Sequence, residues 1–169
     1  LAGITAEEGE RSWALMSNTT NQVAALIKTL QREARAGEFK PRHTNDLGVD
    51  FDHVRRRGVR PEDAQPERDA LQALREQGLF DSLQRFESMP PGLPPAEQSD
   101  QMMITAMSGL SESRDVARAL AASMRLEALA GNGDQVVRNF AAGLALARTI
   151  SLQPGIICGL VAISIESMI

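Results

Sequence analysis

Residues 126–169 read LEALAGNGDQVVRNFAAGLALARTISLQPGIICGLVAISIESMI, and only Glu127, Asp134, Arg138, Arg148 and Glu166 among them carry charge. In a chain that is 24% charged, such a stretch marks buried structure. It predicts two helices joined at Gly131-Asn132-Gly133-Asp134 and a third opening at Pro154 that is apolar nearly all round. A helix without a polar face needs cover on every side. The N-terminal helix bearing Trp13 and Ile27 is available as cover, but one stripe shields only about half of a helix. The sequence therefore predicts self-association, or native sequence beyond Ile169, as well.

Working outward, the whole 169-residue chain is 43% hydrophobic, enough for one globular domain with a real core. Only 4% is aromatic and there is no Tyr, so Leu, Ala, Ile, Val and seven Met must fill that core. This mix favours helix over strand. A net charge of -4 gives no general attraction to nucleic acid or anionic membranes. Cys158 is the single cysteine, which excludes an internal disulfide. The longest apolar run, Pro154 to Ile165, is shorter than the roughly 20 residues a bilayer needs. Because residue 1 is Leu, the native chain is expected to start earlier, with room for an anchor or export signal. Without one the protein is expected in the cytoplasm.

Upstream, Thr5-Ala6-Glu7-Glu8 has the spacing of a capping box, so a helix should start there and run to Gly37. Its inner stripe is Trp13, Met16, Val23, Ile27, Leu30 and Ala34, and the polar run Ser17 to Asn21 is a point where it could divide in two. From 37 to 66 the periodicity disappears among Pro and Gly, which predicts a long loop with one short helical turn. Pro66 suits the first turn of a helix reaching Gln77, stopped by Gly78. Leu79, Phe80, Leu83 and Phe86 then form the inner face of a short helix. A stiff connector, residues 89–95, leads to a helix from about Ala96 carrying Met102, Met103, Met107 and Leu110. Ser111 or Ser113 is placed to cap the next helix, with Val116, Leu120 and Met124 inward, and Asp134 the one after. In that last helix Val136, Val137, Phe140, Ala141, Leu144 and Ala147 are expected inside, with Arg138, Asn139 and Arg148 toward the other side.

The spacing of Gly131, Val136, Phe140, Gly143 and Leu144 resembles the second half of a tetratricopeptide-type helical hairpin. Ser123, Met124 and Glu127 depart from that motif, as does Arg148 near its closing proline. The runs 129–134, 145–148 and 160–166, with Gly78-Leu79-Phe80-Asp81, resemble a family of uncharacterised bacterial all-helical proteins. This second resemblance covers about 78–169. It implies a helical fold with no catalytic residues to carry over, in proteins that extend further at both ends, often behind an N-terminal membrane anchor.

Candidate chemistry is sparse. His43 and His53 share the loop with Asp46, Asp50 and Asp52, and imidazole with carboxylate suits zinc or iron, but the spacing matches no established ligand pattern. Arg55, Arg56, Arg57 and Arg60 form the only dense basic cluster, fit to dock an acidic partner or a nucleic acid, with acidic neighbours, few aromatics and the negative net charge against it and a solvated loop as the plain alternative. The Gly131 to Asp134 turn lacks the preceding strand and third glycine of a dinucleotide fingerprint and reads as an interhelical turn. Cys158 sits among Ile156, Ile157, Gly159 and Leu160, as an inert core thiol does. Glu166 stands alone in its apolar helix, where a carboxylate is catalytic if its surroundings raise its pKa, the plain alternatives being that it reaches solvent or pairs with an arginine.

The sequence thus predicts an all-α chain forming one helical domain over 1–169. Residues 1–36 give a helix or helix pair, 37–66 a loop and 67–169 a core of stacked antiparallel hairpins. Its architecture is expected to be a tetratricopeptide-like right-handed superhelix or an irregular helical bundle. Its expected role is a non-catalytic scaffold or protein-interaction module that needs no cofactor and binds a protein, a peptide or its own copy, with no nucleic acid and no membrane insertion. Two alternatives stay open: a metal-dependent or hydrolytic enzyme using loop 43–53, and a helical small-ligand domain lined by Met102, Met103 and Met107.

Overall fold

The computed structural model describes residues 4–36, 50–55, 60–90, 92, 102–153 and 156–169; at 34–36, 53, 55, 61, 62 and 102–108 it describes the backbone alone. Among the described residues every regular element is helical, so the chain is all-α. The described residues form seven α-helices in order: α1 (Ala6–Ala36), α2 (Phe51–Arg55), α3 (Gln65–Glu76), α4 (Leu79–Gln84), α5 (Met102–Leu129), α6 (Gly133–Ser151) and α7 (Ile156–Glu166). Short 3-10 segments, Pro61–Ala64 and Arg85–Ser88, precede α3 and follow α4.

Local chemistry sets most of these boundaries. The Thr5 amide donates to Glu8 Oε2 at 2.9 Å while the Glu8 amide donates to Thr5 Oγ1 at 3.2 Å, so the capping box starts α1. Because the Glu8 carboxylate accepts the Thr5 amide, its pKa lies below the usual 4.5. The helix continues through the polar run Ser17 to Asn21 without a break, since Thr19 and Thr20 turn inward and are buried. Gly78 takes the left-handed conformation, φ 67°, that ends α3. Further on, α5 is one continuous helix where a cap at Ser111 or Ser113 was expected. Ser113 donates its hydroxyl back to the Gly109 carbonyl at 2.8 Å, a mid-helix bond that interrupts nothing. Asn132, not Asp134, occupies the N-cap of α6, and Asp134 lies exposed in its first turn.

The core gathers around α5, which packs against α1, α2, α3, α6 and α7. Phe80, Leu83 and Phe86 from α4 and its 3-10 extension join Leu71 and Leu74 of α3 and Val116 and Leu120 of α5, all buried. Residues 37–49 and 56–59 of the expected loop lie outside the described residues. The short helical turn expected there is α2, whose Phe51 and Val54 are buried. The connector after α4 passes so close to α1 that a Cβ on Gly92 would sit 2.9 Å from the Trp13 Cα. Only glycine fits there. Its amide donates to Thr149 Oγ1 at 3.4 Å, and that hydroxyl donates to Met16 Sδ at 3.1 Å, tying the connector, α6 and α1 together.

The face of α6 differs from the expected one. Asn139 is fully buried, with Ala142, Gly143, Leu146, Ala147 and Ile150, whereas Val137 is 66% and Phe140 42% exposed. Apart from the side bearing Asp134, Arg138 and Arg148, apolar residues cover this helix widely, so periodicity alone does not choose which of them turn inward. Close approach chooses it: Ala142, Gly143 and Ala147 offer a flat strip on which α5 and α7 can lie, and a ring the size of Phe140 would hold them apart. Burying Asn139 costs nothing extra once its amide is hydrogen-bonded.

Helix α7 packs on α6 and α5 through Cys158, Ala162 and Ile165. Its other side faces outward, with Ile156 85%, Leu160 61% and Ile163 63% exposed. The main partners of α1 are α3, α4 and α5, so Trp13 and Ile27 do not supply the cover expected for this face.

Candidate partner-binding groove

Two concavities flank the α5–α6 hairpin. The first is a polar cleft of about 890 Å³ where the α5–α6 turn meets α3 and α4. Gly131, at φ 79°, makes the sharp turn, and the Asn132 amide bonds back to the Glu127 carbonyl at 2.9 Å. Inside the cleft Arg75 reaches from α3 to Glu127 and to Ser123 Oγ at 3.3 Å, with its guanidinium 5.4 Å from the Phe80 ring centre. Asn132 Nδ2 donates to Glu127 at 2.7 Å. Asn139 Nδ2 donates to Ser123 Oγ at 3.0 Å, while Asn139 Oδ1 accepts from Gln84 at 3.1 Å and Gln135 at 3.2 Å. These groups are committed to one another across four helices. The arrangement fixes how α6 sits on α5; the carboxylates among the described residues lining the cleft are Asp81, Glu127 and Asp134.

The second is an open groove of about 560 Å³ between the C-terminal half of α5, the N-terminal half of α6 and the end of the chain. Leu129, Val137 and Phe140 line it, with Met124 at its base and Met168 at its edge. Ile169 closes one end by resting on Gly143, where a Cβ would come within 3.0 Å of the Ile169 side chain. Arg125 also lines the groove. Its Nε is buried without a hydrogen-bond partner, and among the described residues no carboxylate pairs with its guanidinium. Sequence reasoning missed this groove because it placed Val137 and Phe140 inside.

The residues singled out from the sequence are scattered. Arg55 is the last residue of α2 and described by backbone only, Arg56 and Arg57 lie outside the described residues, and Arg60 is exposed before the 3-10 segment. His43 and Asp46 also lie outside the described residues, as does the side chain of His53. Asp50 Oδ1 accepts the Asp52 amide at 3.0 Å, capping α2, and Asp52 pairs with Arg118 at 3.2 Å. The Asp50 amide donates to Glu67 at 3.0 Å, so both aspartates help seat α2 on the body. Among the described residues no three His, Cys, Asp or Glu side chains gather as a metal site would require. Cys158 is buried, and burial pushes its thiol above the usual 9.0, as expected of an inert core group. Glu166 is exposed on α7 with no ion pair among the described residues. Met102, Met103 and Met107 stand on α5, their side chains outside the description. No helix among the described residues is long and apolar enough to cross a membrane.

No family model, no curated protein and no solved structure matches the chain. A functional reading therefore rests on the two concavities and the exposed side of α7.

Proposed function

We propose that this protein is a non-catalytic helical scaffold whose C-terminal helices present an apolar surface to a protein partner. One observation carries the reading: Val137, Phe140, Ile156, Leu160 and Ile163 stand exposed on helices whose opposite sides are buried in the core. Isolated exposed leucines need no explanation, whereas several large apolar residues on two neighbouring helices mark an interaction surface. The groove is open rather than enclosed, which suits a helix laid along it better than a small ligand that must be mostly surrounded. A net charge of -4 and the engagement of Asp50 and Asp52 in capping and pairing weigh against a nucleic-acid partner and a metal-dependent enzyme. Between the two expected architectures, we favour the irregular bundle. Units of a superhelical stack touch only their neighbours, and α5 packs against five other helices.

Selecting helical peptides from a display library against the folded chain tests this reading. Enriched binders should lose affinity to Phe140→Ser or Leu160→Ser variants whose thermal midpoints are unchanged. Binders indifferent to both substitutions, or variants that unfold, would remove the basis for the proposal.

A further inference from the structure

Two surfaces of this chain lack what the other supplies. The groove offers Leu129, Val137 and Phe140 beside Arg125, a cation with no carboxylate paired to it among the described residues. Helix α7 offers Ile156, Leu160 and Ile163, spaced at i, i+4 and i+7 along one side, and carries Glu166, a carboxylate with no ion pair among the described residues. Residues spaced this way form a continuous ridge about 10 Å long, the form in which a helix enters an apolar groove. Glu166 lies one turn beyond Ile163, at the flank of that ridge. Both surfaces adjoin, because Met168 and Ile169, which continue from α7, form one wall of the groove.

We propose that the chain pairs with a second copy of itself, the outer side of α7 from each copy filling the α5–α6 groove of the other and Glu166 of one copy meeting Arg125 of its mate. This rests on the interaction reading above and names the partner. A two-fold axis near the chain ends makes the contact twice, so each dimer buries two ridges and forms two ion pairs. Arg125 gains its carboxylate in a site that water leaves on docking, where a charge-assisted bond is worth more than on open surface.

Charge reversal and sedimentation equilibrium test the proposal on the full chain. The unaltered protein should show a concentration-dependent dimer that weakens as salt is added. Arg125→Glu alone and Glu166→Arg alone should each weaken dimerisation by about tenfold or more, since each sets like charges face to face. Mixing the two variants should restore it, because a heterodimer then pairs Glu with Arg at both contacts. Circular dichroism checks that each variant is folded, and the mixing arm protects against misfolding, since damaged chains do not rescue one another. A chain that stays monomeric at every concentration overturns the proposal, as does a dimer indifferent to both substitutions or a mixture that fails to recover. A monomer that still binds selected peptides through Phe140 would leave the interaction reading standing and dismiss only self-association.

Discussion

Helices α3 and α4 choose their buried faces by one rule and α6 by another. In α3 the buried Ala70, Leu71 and Leu74 stand among Glu, Arg, Asp and Gln, and in α4 Leu79, Phe80 and Leu83 share one side. Contrast between apolar and charged residues leaves one orientation that keeps all the charged residues but Glu67 toward water. Helix α6 has a looser contrast: Asp134, Arg138 and Arg148 keep one side in water, but Val, Phe, Leu and Ala cover more of the rest than a single buried face takes up. Its orientation comes from shape and hydrogen bonding, through the strip Ala142, Gly143 and Ala147 and the network around Asn139. Polarity contrast chooses a face where it is sharp. Where it is loose, closeness of approach does.

That difference can be broken open by substitution. The largest effect belongs to the contrast-driven side: Phe80→Ala should cost about 3 to 5 kcal/mol in denaturant melts, because a large ring with no room to collapse is removed from the centre. On the shape-driven side, Asn139→Ala should cost about 1 to 3 kcal/mol, since Ser123, Gln84 and Gln135 lose a buried partner. An Asn139→Ala variant as stable as the parent would show that the polar network does not orient α6.

A smaller effect is confined to the start of α1. The folded pKa of Glu8 is lowered, so its contribution is present above the unfolded value of 4.5 and disappears as pH falls through the folded one. Glu8→Ala should therefore lower the thermal midpoint at neutral pH, and the gap should narrow in acid below 4.5. A gap that widens on acidification would mean the capping box is not formed in solution.

The same physics accounts for what could be read in advance. The capping box at Thr5, the stop at Gly78 and the inward row Leu79, Phe80, Leu83 and Phe86 depend on neighbours within a turn or two, and each stands where the sequence places it. So does the turn at Gly131, whereas the outer side of α7 stands exposed without the cover that the helix bearing Trp13 and Ile27 was expected to give. Glu67 is the opposite case: a charge in the first turn of α3, buried and accepting the Asp50 amide from 17 residues away. No periodicity signals such a contact. The groove was hidden for a related reason, since its existence depends on a rotation of α6 that only its packing against α5 and α7 decides. Arg125 follows the inner stripe residue Met124, and nothing in the sequence around it marks it as a groove residue.

The account stands most directly on where Phe140 points. If α6 turns Asn139 inward and leaves the ring lining an open groove, Phe140→Ala, melted in denaturant at the lowest protein concentration the signal allows, should lose less than about 1 kcal/mol. A loss of about 3 kcal/mol or more, the cost of emptying a closed aromatic site, would put Phe140 in the core and contradict both the groove and the surface built on it.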